Sequence, residues 1–222
     1  MTNVPEIPRL TPSFRAHRLQ WLAGSHEDLA QEYQLLLLIQ PNCPGCLVNS
    51  VPVANAIAES VDDFDTYCVS TAFEDFEYNR IESARELLNG TIGGTAAEIL
   101  ADRSNVTDFI PRMPFAHDYL VNRDEADEDF KEWALHTMLQ SARQQLRNLQ
   151  YTEEKIEKKL DKVGYNALPE KLAELFWSVK AEGSPTWVVH KNNGEVLDVR
   201  FGYMDEKQIR QWIGRLVPAS FS

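Results

Sequence analysis

The spacing of apolar residues changes along this chain, and each change marks an element. Leu35-Leu36-Leu37-Leu38-Ile39 is apolar at every residue, as a strand covered on both faces is. Pro41 and Asn42 close it. Val48, Val51, Ala54, Ile57, Ala58 and Val61 then recur at helical spacing and predict a helix from near Cys43 to about Ser60, bent by the interior Pro52. Thr66–Thr71 reads as a second strand, with Cys68 a small buried hydrophobe in its middle. Upstream, residues 1–14 read as an irregular arm and Arg18–Leu22 as a short strand. After a turn at Gly24, Ser25 caps a helix running to about Tyr33.

Downstream, helices are expected over Asn79–Leu88, ended by Asn89-Gly90, and over Thr95–Asp102. A short strand is expected over Met113–Leu120. From Asp124 to Lys180 the pattern is helical and charged. Phe130, Trp133, Thr137, Met138, Leu139, Ala142, Leu146 and Leu149 form one stripe. Thr152 caps a second helix, with Ile156, Leu160 and Val163 inward and Gly164 as its stop. Pro169 opens a third, carrying Leu172, Leu175, Phe176 and Val179. Pro185–His190 and Glu195–Phe201 form a hairpin around Asn192-Asn193-Gly194, a turn expected to place both central residues at positive φ. Asp205 caps a closing helix that buries Ile209, Trp212, Ile213 and Leu216.

Charge narrows the choice of partners. The net charge is −12, from 34 acids against 22 bases. That argues against nucleic acid, whose binding rests on Lys and Arg neutralising phosphates. The segment Met1–Pro8 lacks a basic start followed by an apolar run, and no apolar stretch is long enough to span a bilayer. A cytoplasmic protein with no membrane partner is expected. Three cysteines are too few for a disulfide scaffold.

Two of those cysteines carry the candidate chemistry. Cys43-Pro44-Gly45-Cys46 stands where the Leu35–Ile39 strand passes into a helix, a placement that reads as a redox dithiol. Pro44 suits the first helical position, because its missing N–H needs no partner there. Cys43 is then the N-cap and Cys46 the third helical residue. The helix start presents free N–H groups and partial positive charge, which favour a thiolate at Cys43. Cys43 is the expected nucleophile and Cys46 the resolving thiol. Two readings compete with this one: a vestigial pair in an inactive fold, and a zinc half-site. The zinc site needs two more Cys or His ligands, and none follows at suitable spacing. No cofactor and no metal are expected.

Strand, Cys-Pro-Gly-Cys helix, strand, helix, then Ser184-Pro185-Thr186 into a hairpin and a last helix: this order resembles the thioredoxin superfamily. It looks most like the TlpA/redoxin branch, with Arg18–Leu22 and Met113–Leu120 as its extra strands. The resemblance covers about 1–122 and 183–217. It implies an α/β thioredoxin-like domain over 1–222, with a central mixed sheet flanked by helices and a helical insertion at 123–182. It implies that Pro185 is cis and that Ser184 and Pro185 floor the site beside Cys43. Cys43 and Cys46 would be catalytic, and Pro44, Gly45, Ser184 and Pro185 would contact substrate. The chain departs from thioredoxins proper in two places. Leu37 stands where they bury an Asp, and Asn42 where they carry Trp. Glu74 or Asp75 is the remaining candidate for a proton relay to Cys46.

The implied function is a thiol–disulfide oxidoreductase acting on protein or small-molecule disulfides and re-reduced by an unidentified electron donor. One alternative is a peroxiredoxin-like thiol peroxidase, although Gln40 replaces the Thr expected three residues before the reactive cysteine. Another is a redox-switched binding module that works through the helical insertion and the Phe130/Trp133/Met138 stripe. The insertion reads equally as a lid, a partner surface or core padding.

Overall fold

A computed structural model describes residues 18–61, 64–101, 108–126 and 128–217. The arm at 1–14, the Met1–Pro8 pattern and Asp102 lie outside them. The structure is built on β2 (Tyr33–Ile39), which pairs parallel with β3 (Asp65–Ser70) and antiparallel with β7 (Thr186–Lys191). β4 (Phe115–His117) adds parallel to β3, β1 (Gln20–Ala23) antiparallel to β4, and β8 (Val196–Phe201) antiparallel to β7. The result is a six-stranded mixed sheet in the order β1-β4-β3-β2-β7-β8.

β2 is apolar throughout because both faces of the sheet are covered. Successive strand side chains point to opposite faces. Leu35, Leu37 and Ile39 enter a core shared with Leu47, Val51, Ile57, Trp187, Trp212 and Ile213. Trp187 is on β7, and the others come from α1 (Val51–Ser60), α7 (Glu206–Leu216) and the turn before α1. α2 (Ile81–Leu88) and α3 (Gly94–Leu100) extend the same core. Leu36 and Leu38 point the other way, into a second core with Tyr67, Val69, Leu172, Phe176 and Val188. α4 (Glu128–Asn148) lies over that second core. Ala134 is buried, and Phe130, Leu135 and Met138 pack against it. The stripe is therefore core-facing over its N-terminal half, whereas Leu149, just past the helix, is exposed. α5 (Glu153–Leu160) begins after Thr152, whose side chain makes no capping hydrogen bond, and is joined to α4 by the ion pairs Arg143–Glu157 and Arg147–Glu153.

Four sequence expectations are corrected. The helix after Ser25 is a single 3-10 turn, His26–Asp28. Leu29 is drawn into the core and the Asp65 carboxylate takes the Gln31 N–H at 2.6 Å, which leads the chain straight into β2. The Met113–Leu120 strand breaks at Asp118 into β4 and β5 (Leu120–Asn122). The segment 123–182 is not wholly helical. Residues after Pro169 form β6 (Lys171–Ala173), antiparallel to β5, and only then the short α6 (Glu174–Ser178). The open edge of β5 takes a strand where helical spacing alone predicts a turn of helix. In the β7–β8 turn only Gly194 has positive φ, +89°. Its N–H closes on the Lys191 carbonyl, and the Lys191 N–H reaches Glu195.

Asp118 fastens the segment to the sheet. It is fully buried, and its carboxylate accepts from Thr71 Oγ1 and from the N–H groups of Leu175 and Phe176, all within 3.0 Å. It thereby caps α6 from 57 residues away. Phe176 in turn stacks on Phe73, with centroids 4.2 Å apart. Among the described residues no helix is long and apolar enough to cross a membrane.

Candidate functional site

The site lies at the C-terminal end of β2. The Cys43 N–H donates to the Gln40 carbonyl at 2.9 Å, closing a turn that carries the chain from strand to helix. Residues 44 and 45 are already helical, so Pro44 takes the first helical position. Cys43 and Cys46 are joined as a disulfide, with Cα atoms 5.3 Å apart. The Cys46 N–H donates to Cys43 Sγ at 3.2 Å. Cys43 and Pro44 are half-buried, Gly45 is exposed and Cys46 is fully buried. The sulfur that an incoming molecule meets first is that of Cys43.

A π-helical turn, Cys46–Ser50, follows the dithiol, and the Val51 N–H donates five residues back to Cys46. The turn ends two residues before Pro52. A proline has no N–H for the carbonyl four residues back, and its ring crowds that carbonyl. The helical ladder slips by one residue to accommodate it, a common origin of such a turn. The bend expected at Pro52 thus takes the form of a π-turn between the dithiol and α1.

Ser184 and Pro185 come to the dithiol from 141 residues away, with the Ser184 carbonyl oxygen 3.9 Å from Cys43 Sγ. The peptide bond between them is cis. The Gly202 N–H donates to the Pro185 carbonyl at 2.9 Å, and Thr186 Oγ1 to the Gly183 carbonyl at 2.7 Å. These bonds hold the loop from the β7 and β8 side.

Three polar side chains that the sequence did not mark as site residues join the loops. Gln40, 3% exposed, accepts from Ser184 Oγ at 3.2 Å and donates through Nε2 to the Glu74 carbonyl at 3.1 Å. Asn79 is buried and donates to the same carbonyl, while its Oδ1 accepts the Asn42 N–H at 2.9 Å. Asn42 Oδ1 accepts the Ala96 N–H in the first turn of α3, and its Nδ2 donates to Asp75 at 3.3 Å. Gly94 is required beside it. Its φ is +61°, and a Cβ would fall 2.6 Å from Asn42 Oδ1 and 2.9 Å from the Tyr78 ring. The available signal was a run of polar residues, Gln40 and Asn42, directly after an all-apolar strand. Its meaning depends on partners far away in sequence.

The acids sit to one side. Glu74 meets Gln40 and Asn79 through its backbone, and burial together with the charge of Asp75 holds its carboxyl above the ordinary glutamate range. Asp75 bonds Asn42 rather than a cysteine. At the position of the missing buried acid, Leu37 is fully buried in the apolar core beside Cys46. The third cysteine, Cys68, is free and buried, and burial pushes its thiol far above the ordinary range. Among the described residues no group of three His, Cys, Asp or Glu side chains is arranged to hold a metal ion.

No family model matches the sequence, and no curated protein sequence does. Solved structures do match. A thiol-disulfide isomerase from Corynebacterium glutamicum is 16% identical, with a TM-score of 0.52, over 95% of this chain and 99% of that one. A thioredoxin-like superfamily protein is 15% identical, with a TM-score of 0.51, over 95% and 97%. Both likenesses are of fold. The mixed sheet, the disulfide-forming pair at the start of a helix and the shared architecture give this chain a thioredoxin-like fold.

Proposed function

We propose that the chain is a thiol–disulfide oxidoreductase whose redox centre is Cys43 and Cys46. The observation that carries this reading is the asymmetric pair. Cys43 is half-buried, at the start of a helix, with a backbone N–H on its sulfur, and Cys46 is sealed beneath it. The N–H and the helix terminus stabilise negative charge on Cys43 Sγ. The Cys43 thiolate attacks a substrate disulfide. A Cys43–substrate bond forms, and the displaced substrate sulfur leaves as a thiolate that takes a proton from water. Cys46 then loses its proton and attacks Cys43 Sγ. The second substrate thiol departs and the Cys43–Cys46 disulfide remains. The dithiol supplies both electrons, and an external dithiol donor returns them.

The substrate is a protein or small-molecule disulfide that lies along Pro44, Gly45, Ser184 and Pro185. In a reducing compartment, which we assign as the cytoplasm, net flow is towards substrate reduction. The fold shared with a protein named a thiol-disulfide isomerase agrees with this chemistry. The test is an insulin- or glutathione-disulfide reduction assay with a dithiol donor. Activity is expected from the wild type, none from Cys43→Ser, and a trapped mixed disulfide from Cys46→Ser. Full activity in Cys43→Ser overturns the reading.

A further inference from the structure

Gln40 bridges the Ser184 loop, which faces the reactive sulfur, to the Glu74–Asp75 loop, and both ends of its amide are used. Oε1 accepts from Ser184 Oγ at 3.2 Å and Nε2 donates to the Glu74 carbonyl at 3.1 Å. The amide cannot be reversed without setting Oε1 against the Glu74 carbonyl, which only accepts. The Glu74 carbonyl is itself held by Asn79, and Asn79 by the Asn42 backbone. Gln40 therefore works from a braced position. It sits at the end of β2, in the turn that its own carbonyl closes with the Cys43 N–H. The group it secures is Ser184, whose carbonyl oxygen lies 3.9 Å from Cys43 Sγ.

We propose that Gln40 is a positioning residue that fixes the Ser184 carbonyl against Cys43 Sγ and so sets both the acidity of the Cys43 thiol and the docking of the disulfide substrate. The inference rests on the thiol–disulfide reading above for its second half only. A carbonyl oxygen beside the sulfur accepts a hydrogen bond from the neutral thiol and opposes the thiolate, while the Cys46 N–H favours the thiolate. Releasing Ser184 removes the opposing group and leaves the favouring one. It also loosens the loop on which a substrate must settle, which costs binding before it costs chemistry.

The experiment measures the pH midpoint of Cys43 alkylation by iodoacetamide in the fully reduced chain, for wild type, Gln40→Leu, Ser184→Ala and the double variant. Gln40→Leu removes both bonds. Ser184→Ala removes only the donor and leaves the Gln40–Glu74 bond intact, so it serves as the second variant should Gln40→Leu fold poorly. The midpoint is expected to fall by about half a pH unit or more in each single variant. The double variant is expected to match Gln40→Leu, since residues in one hydrogen-bonded chain are not additive. In the disulfide-reduction assay, KM is expected to rise about tenfold in Gln40→Leu, with kcat within about threefold of wild type. A loss of thermal stability with an unmoved midpoint means a merely structural Gln40 and overturns the inference. So does full additivity in the double variant. The alkylation midpoint needs no substrate, so it decides the role of Gln40 even where the wild type reduces no disulfide, a result that overturns the proposed function instead.

Discussion

The two faces of β2 do different work. On one face, Leu35, Leu37 and Ile39 pack with Leu47, Val51 and Trp212, directly under the dithiol. Cys46 is sealed in this same core, and Cys43 packs against it. On the other face, Leu36 and Leu38 meet Phe176, Leu172 and Trp177. The segment that supplies these residues is clasped to the sheet by Asp118 and Phe73. Its outer surface is charged helix with exposed ion pairs. One strand thus serves a reactive face and a covering face. The N-terminal half of the 123–182 stripe is spent on the core, whereas Leu149 at its far end is exposed.

Phe176→Ala tests that division hardest. It removes a buried ring stacked on Phe73 and is expected to cost about 3–5 kcal/mol, read as a lower urea midpoint. The alkylation rate of Cys43 in the folded protein should stay within about twofold of wild type, as for any change confined to the covering face. A large change in that rate would break the comparison, since it would mean the covering face reaches the sulfur through the Thr71–Asp75 loop. Leu47→Ala, on the reactive face, is expected to cost about 2–5 kcal/mol and also to alter Cys43 reactivity, because Leu47 lies next to Cys46 in the same core.

Acid titration sharpens the comparison by a smaller effect. Burial lowers His117 and His190 to about 4, from 6.5. Between those values the unfolded chain takes up protons that the folded chain refuses, so these two residues make stability fall as pH drops from 6.5 towards 4. Asp118 acts in the opposite sense. Burial raises it to about 7, from 3.8, against the lowering effect of its three donors. The folded chain holds that proton first, and stability from this group rises as pH falls from 7 towards 3.8. Asp118→Asn removes the offsetting group. Its unfolding free energy, measured between pH 6.5 and 4.5, should fall more steeply with acid than that of wild type, by up to about 1.4 kcal/mol per pH unit. An unchanged slope would mean that Asp118 stays ionised. Smallest of all, Arg147→Ala breaks an exposed pair with Glu153 on the outer helices and should cost at most about 1 kcal/mol, diminishing with added salt.

Local chemistry was enough for the parts of the molecule whose cause is local. The unbroken apolar run of β2 announced a strand buried on both faces. Pro44 placed the helix start between the cysteines, and Asp205 with Gln208 closed a reciprocal cap on α7. Helical spacing over-reached at Leu172-Ala173, where a strand partner was available. It also missed the break at Asp118, where a buried carboxylate is shared between two elements.

The sequence by itself determined where the dithiol stands, which of its cysteines begins the helix, and that the core has a strand at its centre. Each follows from residues within a few positions of one another, through period, φ restriction and the free N–H groups of a helix start. Only the tertiary structure decided what surrounds the sulfur. Gln40 meets Ser184 across 144 residues, and Asp118 meets Leu175 across 57. A polar side chain at the end of a strand does not announce its partner. Burial obliges it to have one, and the packing of the whole sheet selects which.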